Sequence, residues 1–184
     1  KLGKHYFLRI FYGNGTARLV KESAWRDQEG GVVNDLASHI LDTYLFWFKD
    51  KNLQLRVYQK SKFENDSPDH MLFGSQGSFK ISAEISMISW RNHFFADLFS
   101  EKGSIHINSL CKWGPSTFTS RKRKLPSGIP IEKKKKIEKD DPTWSLEYKY
   151  FKKICKKKIS NIDNDIWIQS KLKKLIKTSK KTLS

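Results

Sequence analysis

The sequence has 184 residues, 38% hydrophobic and 13% aromatic, enough apolar surface for one domain's core and too much for a chain disordered throughout. No apolar run approaches the roughly 18 to 20 residues of a membrane helix, the richest being Tyr44 to Phe48. No basic start leads into an apolar signal segment, so a cytoplasmic chain with no membrane role is predicted. The net charge of +17 is unevenly spread: residues 1–120 hold 15 Lys and Arg against 12 Asp and Glu, residues 121–184 hold 21 against 7. Only Arg121 and Arg123 in that tail have the planar fork that phosphate and base recognition favours; the rest are lysines. A solvated face is predicted ahead of a nucleic-acid-binding module. Cys111 and Cys155 lie far apart with no Cys or His ligand spacing, which points to neither a disulfide scaffold nor a metal site.

In chain order, Tyr6 to Tyr12 reads as a strand and Gly13-Asn14-Gly15 as the turn after it, since Gly and Asn tolerate the φ values that turns require. A polar loop to Glu29 follows. From Gly30-Gly31 the apolar residues fall at Val33, Leu36, Ala37, Ile40, Leu41, Tyr44, Trp47 and Phe48, the spacing of an amphipathic helix. Leu53 to Lys60 is predicted as a strand, and Asn65 to Asp69, with Pro68, as a turn. Alternation over Ile81 to Met87 opens a sheet that continues through 94–99, 105–110, 117–124 and 131–138, and short strands on short turns predict a largely antiparallel meander. Asp141 is placed as an N-cap before Pro142, and Trp144, Tyr148, Phe151, Ile154 and Cys155 share one face of the next helix. A last helix from about Asp165 carries Ile168, Leu172, Leu175 and Ile176. One α+β domain over 1–184 is the economical reading, with a helix-and-sheet core over 1–139 and helices over 140–184. Opening on Lys1 in mid-strand, it reads as a piece of a longer chain.

On the first long helix, Asp35, His39 and Asp42 stand at i, i+4 and i+7, within roughly 60° of one another at about 100° per residue. Most such faces simply meet solvent, but no Lys or Arg occurs between Arg26 and Lys49 in this lysine-rich chain. A face that excludes the commonest surface residue is predicted to meet something other than bulk water. Histidine both takes and gives a proton near neutrality, and a carboxylate one turn away orients its ring and favours the imidazolium. The pair alone does not choose a reaction, and the sequence holds no P-loop, GxSxG or dinucleotide fingerprint.

The segments Phe11-Tyr12-Gly13-Asn14-Gly15-Thr16-Ala17, Trp25-Arg26-Asp27 and Gly30 to Asp42 resemble the Gfo/Idh/MocA oxidoreductases, the glucose-fructose oxidoreductase and inositol dehydrogenase family. The resemblance continues through Ser89-Trp90-Arg91-Asn92, Gly103-Ser104-Ile105, Lys112-Trp113-Gly114-Pro115 and Asp141-Pro142-Thr143-Trp144. It implies a C-terminal domain whose mixed, mainly antiparallel sheet carries helices on one face. It also implies an NAD- or NADP-binding Rossmann domain outside this chain, so that the piece alone is inactive. By the same resemblance His39 is the base or its partner in oxidising a sugar-like hydroxyl, and Asp35 orients it or the substrate. Asp42 either binds substrate or holds the helix to its neighbour. Arg26 and Tyr12 are candidate pocket residues, with pairing to Asp27 and a strand end as their plain alternatives. Trp90, Trp113 and Trp144 are assigned to packing. A homodimer or homotetramer through the open sheet face is implied, and a non-catalytic binding or regulatory member of the fold is the competing class.

Overall fold

In the computed structural model, which describes residues 2–28, 30–75, 77–138 and 140–178, one eight-stranded sheet forms the body. Its strands are β1 (His5–Gly13), β2 (Arg56–Ser61), β3 (His70–Ser75), β4 (Lys80–Ser86), β5 (His93–Ser100), β6 (Gly103–Asn108), β7 (Ser116–Lys124) and β8 (Gly128–Ile137). They lie in the order β2-β3-β4-β1-β5-β6-β7-β8. Only β1 with β4 is parallel, Tyr12 opposite Ile85, so the sheet is mixed and mainly antiparallel. The parallel pair exists because the chain crosses over through a helix between β1 and the strands beyond it, as parallel neighbours require.

Alternate residues of β1, Leu8, Ile10 and Tyr12, are buried and meet the buried Ile81, Ala83 and Ile85 of β4 and Met71 and Phe73 of β3. Over this face lie a π-helical turn (Val33–Ala37), running directly into α2 (Ser38–Phe48), and α4 (Ile162–Thr178). Leu36, Ile40, Leu41 and Tyr44 enter the core from the first helix and Trp167, Ile168, Leu172 and Leu175 from α4. Tyr44 and Trp167 stack at 6.4 Å, and Trp167 Nε1 donates to the Lys51 carbonyl at 2.8 Å. The far sheet face is open, with Phe7 stacked on Phe99 and Phe11 on Phe95.

Several elements depart from the sequence reading. A short helix α1 (Ala17–Lys21) occupies the predicted polar loop, started where Asn14 Oδ1 accepts the Thr16 N–H at 3.2 Å. β3 was not predicted, yet its Met71 and Phe73 are among the most deeply buried residues. Leu53 and Leu55 are buried but precede β2 rather than belonging to it. α3 (Thr143–Lys157) forms, and Asp141 Oδ1 accepts the Thr143 N–H at 3.0 Å as a cap would, but none of its residues is buried. Trp144 is 78% exposed and Trp90 70%, so neither packs; Trp113 does.

Candidate functional site

The helix that carries the acidic and histidine stripe is seated by a chain of backbone contacts. Asp69, fully buried, accepts the N–H groups of Phe63, Glu64 and Asn65 at 3.0, 2.7 and 3.2 Å. The loop so closed presents the Pro68 carbonyl, which accepts the Val32 N–H at 2.7 Å. Gly31 allows this approach: its φ is +42°, and a Cβ there would lie 2.2 Å from the Pro68 oxygen. A Cβ at Gly30 would lie 1.9 Å from Asn34 Nδ2. The glycine pair is therefore filled by the chain itself and is no cradle for a pyrophosphate, which needs open backbone N–H groups at a helix start.

From this start the π turn carries Asp35 and α2 carries His39 and Asp42. Asp35 therefore sits in a π turn and His39 in the α-helix that follows it. Its carboxylate receives Asn14 Nδ2 at 3.5 Å, in the turn after β1, and reaches His39 and Tyr12 through charge. Among the described residues neither ring nitrogen of His39 has a hydrogen-bond partner. The ring is held instead edge-on to Tyr12, centroids 5.4 Å apart. Tyr12 in turn stacks on Trp113 at 5.5 Å.

A cleft of about 340 Å³ opens beside these rings. Tyr12, His39, Asp42, Thr43 and Lys112 supply its polar lining, and Trp47, Phe94, Ile107 and Leu110 are among its apolar walls. Partial desolvation, then the Lys112 ammonium, lower the His39 pKa from its ordinary value, against opposing pulls from Asp35 and Asp42. The sequence expectation of a carboxylate-favoured imidazolium is thus reversed in sign, since burial and a nearby cation disfavour the charged form. Burial and the like charge of Asp165 on α4 raise Asp42, with His39 opposing. Burial, with the Asp35 charge, raises the Tyr12 phenol.

The structure therefore brings Tyr12, His39 and Asp42 together on one cleft, and Asp35 is not among the residues that line it. Arg26 lies elsewhere: it is exposed, its guanidinium 5.5 Å over the Trp25 ring. Asp27 is engaged by the N–H groups of Asp66 and Ser67, at 3.0 and 2.6 Å. Lys112 was given no role from the sequence; it precedes Trp113 after β6, and its ammonium lies 4.9 Å over that ring. Its signal was the Lys112-Trp113-Gly114-Pro115 motif.

A second polar cluster occupies the open sheet face. His106 Nδ1 lies 2.7 Å from Asp97 Oδ1 and its Nε2 2.8 Å from Ser104 Oγ. β6 is paired on both edges, so its backbone N–H groups are committed to the ladders. No adjacent pair is left to stabilise an oxyanion, the feature acyl transfer depends on. Among the described residues no group of three or more His, Cys, Asp and Glu could hold a metal ion, and no helix is long and apolar enough to cross a membrane.

By sequence the chain matches no protein-family model and no curated protein. Its structure is similar to UDP-N-acetylglucosamine 3-dehydrogenase GnnA from Acidithiobacillus ferrooxidans, with TM-score 0.70 and 11% identity over 94% of this chain and 52% of that one. It is also similar to levoglucosan dehydrogenase in complex with NADH and L-sorbose, with TM-score 0.57 and 14% identity over 77% and 41%. An inositol dehydrogenase homologue from Azotobacter vinelandii, complexed with NADH and myo-inositol, gives TM-score 0.55 and 12% identity over 74% and 36%. The chain thus spans about half the length of GnnA and less of the other two. Sheet order, helix placement and these likenesses agree that the chain has the fold of the C-terminal domain of the Gfo/Idh/MocA oxidoreductases.

Proposed function

We propose that the chain is the substrate half of an NAD(P)-dependent oxidoreductase acting on a hydroxyl of a sugar, polyol or sugar nucleotide. The observation that carries this reading is His39, a histidine with both ring nitrogens unengaged on the wall of a cleft with Lys112. NAD or NADP belongs to a nucleotide-binding domain outside these residues, so this chain supplies the proton side of the reaction and does not turn over alone. Its lowered pKa keeps His39 neutral near pH 7, the form that can accept the hydroxyl proton. Lys112 then stabilises negative charge growing on the substrate oxygen, while Asp35 and Asp42 stabilise the imidazolium once formed. Asp42 and Thr43 on the same wall are placed to bind further hydroxyls.

Oligomerisation through the open sheet face, where stacked Phe7/Phe99 and Phe11/Phe95 stand clear of the helices, completes the proposal. A dimer or tetramer by light scattering at micromolar concentration is expected, and a strict monomer contradicts it. A non-catalytic binding role for the same cleft is the alternative. The two part in a single assay: the protein with its nucleotide-binding domain, NAD⁺ or NADP⁺, and a panel of polyols, sugars and sugar nucleotides. Appearance of reduced nicotinamide with a panel member supports the enzyme. Dinucleotide binding without turnover of any member supports the binding protein.

A further inference from the structure

A second cavity, again of about 340 Å³, adjoins the His39 cleft, and Trp47 and Ile107 line both. Its other walls include Leu8, Phe48, Leu98, Ile105 and Phe118, and His5 is the polar residue among them. His5 Nδ1 is already engaged with Ser100 Oγ at 2.9 Å, and its ring stands edge-on to Phe48 at 5.7 Å. The two spaces therefore adjoin and have chemically opposite linings. Tyr12, His39, Asp42, Thr43 and Lys112 gather in one, and aliphatic and aromatic carbon lines the other.

A ligand that is hydroxylated throughout would give up hydration in the second cavity without finding hydrogen bonds there, which is unfavourable. An apolar chain gains from the same transfer, about fourfold in affinity for each methylene buried. The position of the second cavity also matters. It shares Trp47 and Ile107 with the cleft, so a molecule long enough to pass those two side chains reaches from one space into the other.

Resting on the proposed function, we infer that the substrate is an amphipathic sugar derivative. Its hydroxylated head meets His39 and Lys112, and an alkyl or acyl arm crosses Trp47 and Ile107 into the cavity beside Phe118. Thr43 and Asp42 hold the head, and the arm supplies affinity without touching the reacting atoms. Phe118 is a specificity-determining residue, because it lines the arm cavity and not the cleft.

Calorimetric titration with methyl, butyl, hexyl and octyl glucosides below their micelle-forming concentrations tests this. Affinity is expected to rise about fourfold per methylene until the cavity is filled. Phe118→Asp, on a strand position already 37% exposed, is expected to abolish that rise and leave methyl glucoside binding unchanged, and Phe118→Leu to retain it. His39→Gln is expected to weaken every member by the same factor. Binding of methyl glucoside that depends on His39 but shows no gain with chain length overturns the inference and leaves the cleft's reading standing. A gain that survives Phe118→Asp also overturns it, since the arm then lies elsewhere. A gain that ignores His39→Gln overturns both, and no binding by any member overturns the inference alone.

Discussion

Tyr12 and His39 meet edge to face at 5.4 Å and 62°, although one closes a strand and the other opens the second turn of a helix. Their contact joins the sheet to the stripe on α2, and Trp113, stacked on the other side of Tyr12 at 5.5 Å, makes it a three-ring wall. The imidazole is thereby oriented by ring packing, without a hydrogen bond to a carboxylate.

Because the wall depends on ring faces and not on the phenol, Tyr12→Phe is expected to change unfolding free energy by less than about 1 kcal/mol. Tyr12→Ala, at a site 7% exposed, removes the buried ring and is expected to cost about 3 to 5 kcal/mol, the range for deleting a large aromatic. Urea unfolding of the two variants checks the pair.

His39 is expected to titrate below its ordinary value of 6.5, as followed by its ring proton shifts in NMR. Lys112→Ala should raise its pKa and Asp35→Asn lower it further, following the charges that act on it. The folded value lies below the unfolded one, so the unfolded chain takes up the proton first as pH falls. This group's stabilising contribution is complete above 6.5 and is lost as pH drops through that value, levelling off below the folded value.

Gly31→Ala must place a Cβ against the Pro68 oxygen at a φ of +42°. A cost of about 1 to 3 kcal/mol is expected for the backbone strain alone, read as a lower denaturant midpoint. A variant as stable as the parent would show that the Pro68 loop does not seat the helix.

The helix over 33–48 was legible because its core residues keep helical spacing, and β1, β4, β5 and β6 because their apolar residues cluster or alternate between turns. β3 escaped because Gly74 and Ser75 dilute a strand whose buried apolar side chains are only Met71 and Phe73, and α1 because five residues hold too little periodicity. The parallel β1–β4 pair joins residues about 70 positions apart in sequence, and no local pattern encodes it. At the site, spacing put Asp35, His39 and Asp42 on one face but could not show the π turn that carries Asp35. Lys112 comes from a different part of the chain and meets His39 only once β6 lies beside β5. The pattern gave α3 an apolar face and assigned Trp144 to packing, but pattern does not say what a face meets, and none of the residues of α3 is buried.

That face yields a contrast between two tryptophans. Trp144→Ser in α3, 78% exposed, is expected to shift stability by no more than about 0.5 kcal/mol. Trp167→Ala in α4, 9% exposed and bonded to the Lys51 carbonyl, is expected to cost about 3 to 5 kcal/mol. Equal effects in thermal or denaturant unfolding would place α3 against the body of the domain.

The most direct measurement for the central claim is turnover of His39→Ala in the protein carrying its nucleotide-binding domain, on whichever panel substrate the parent oxidises. The account predicts a fall in kcat of about 10²- to 10⁴-fold, the usual worth of a general acid-base group, with the fold unchanged by circular dichroism. A kcat close to the parent's would remove His39 from the chemistry and contradict the account.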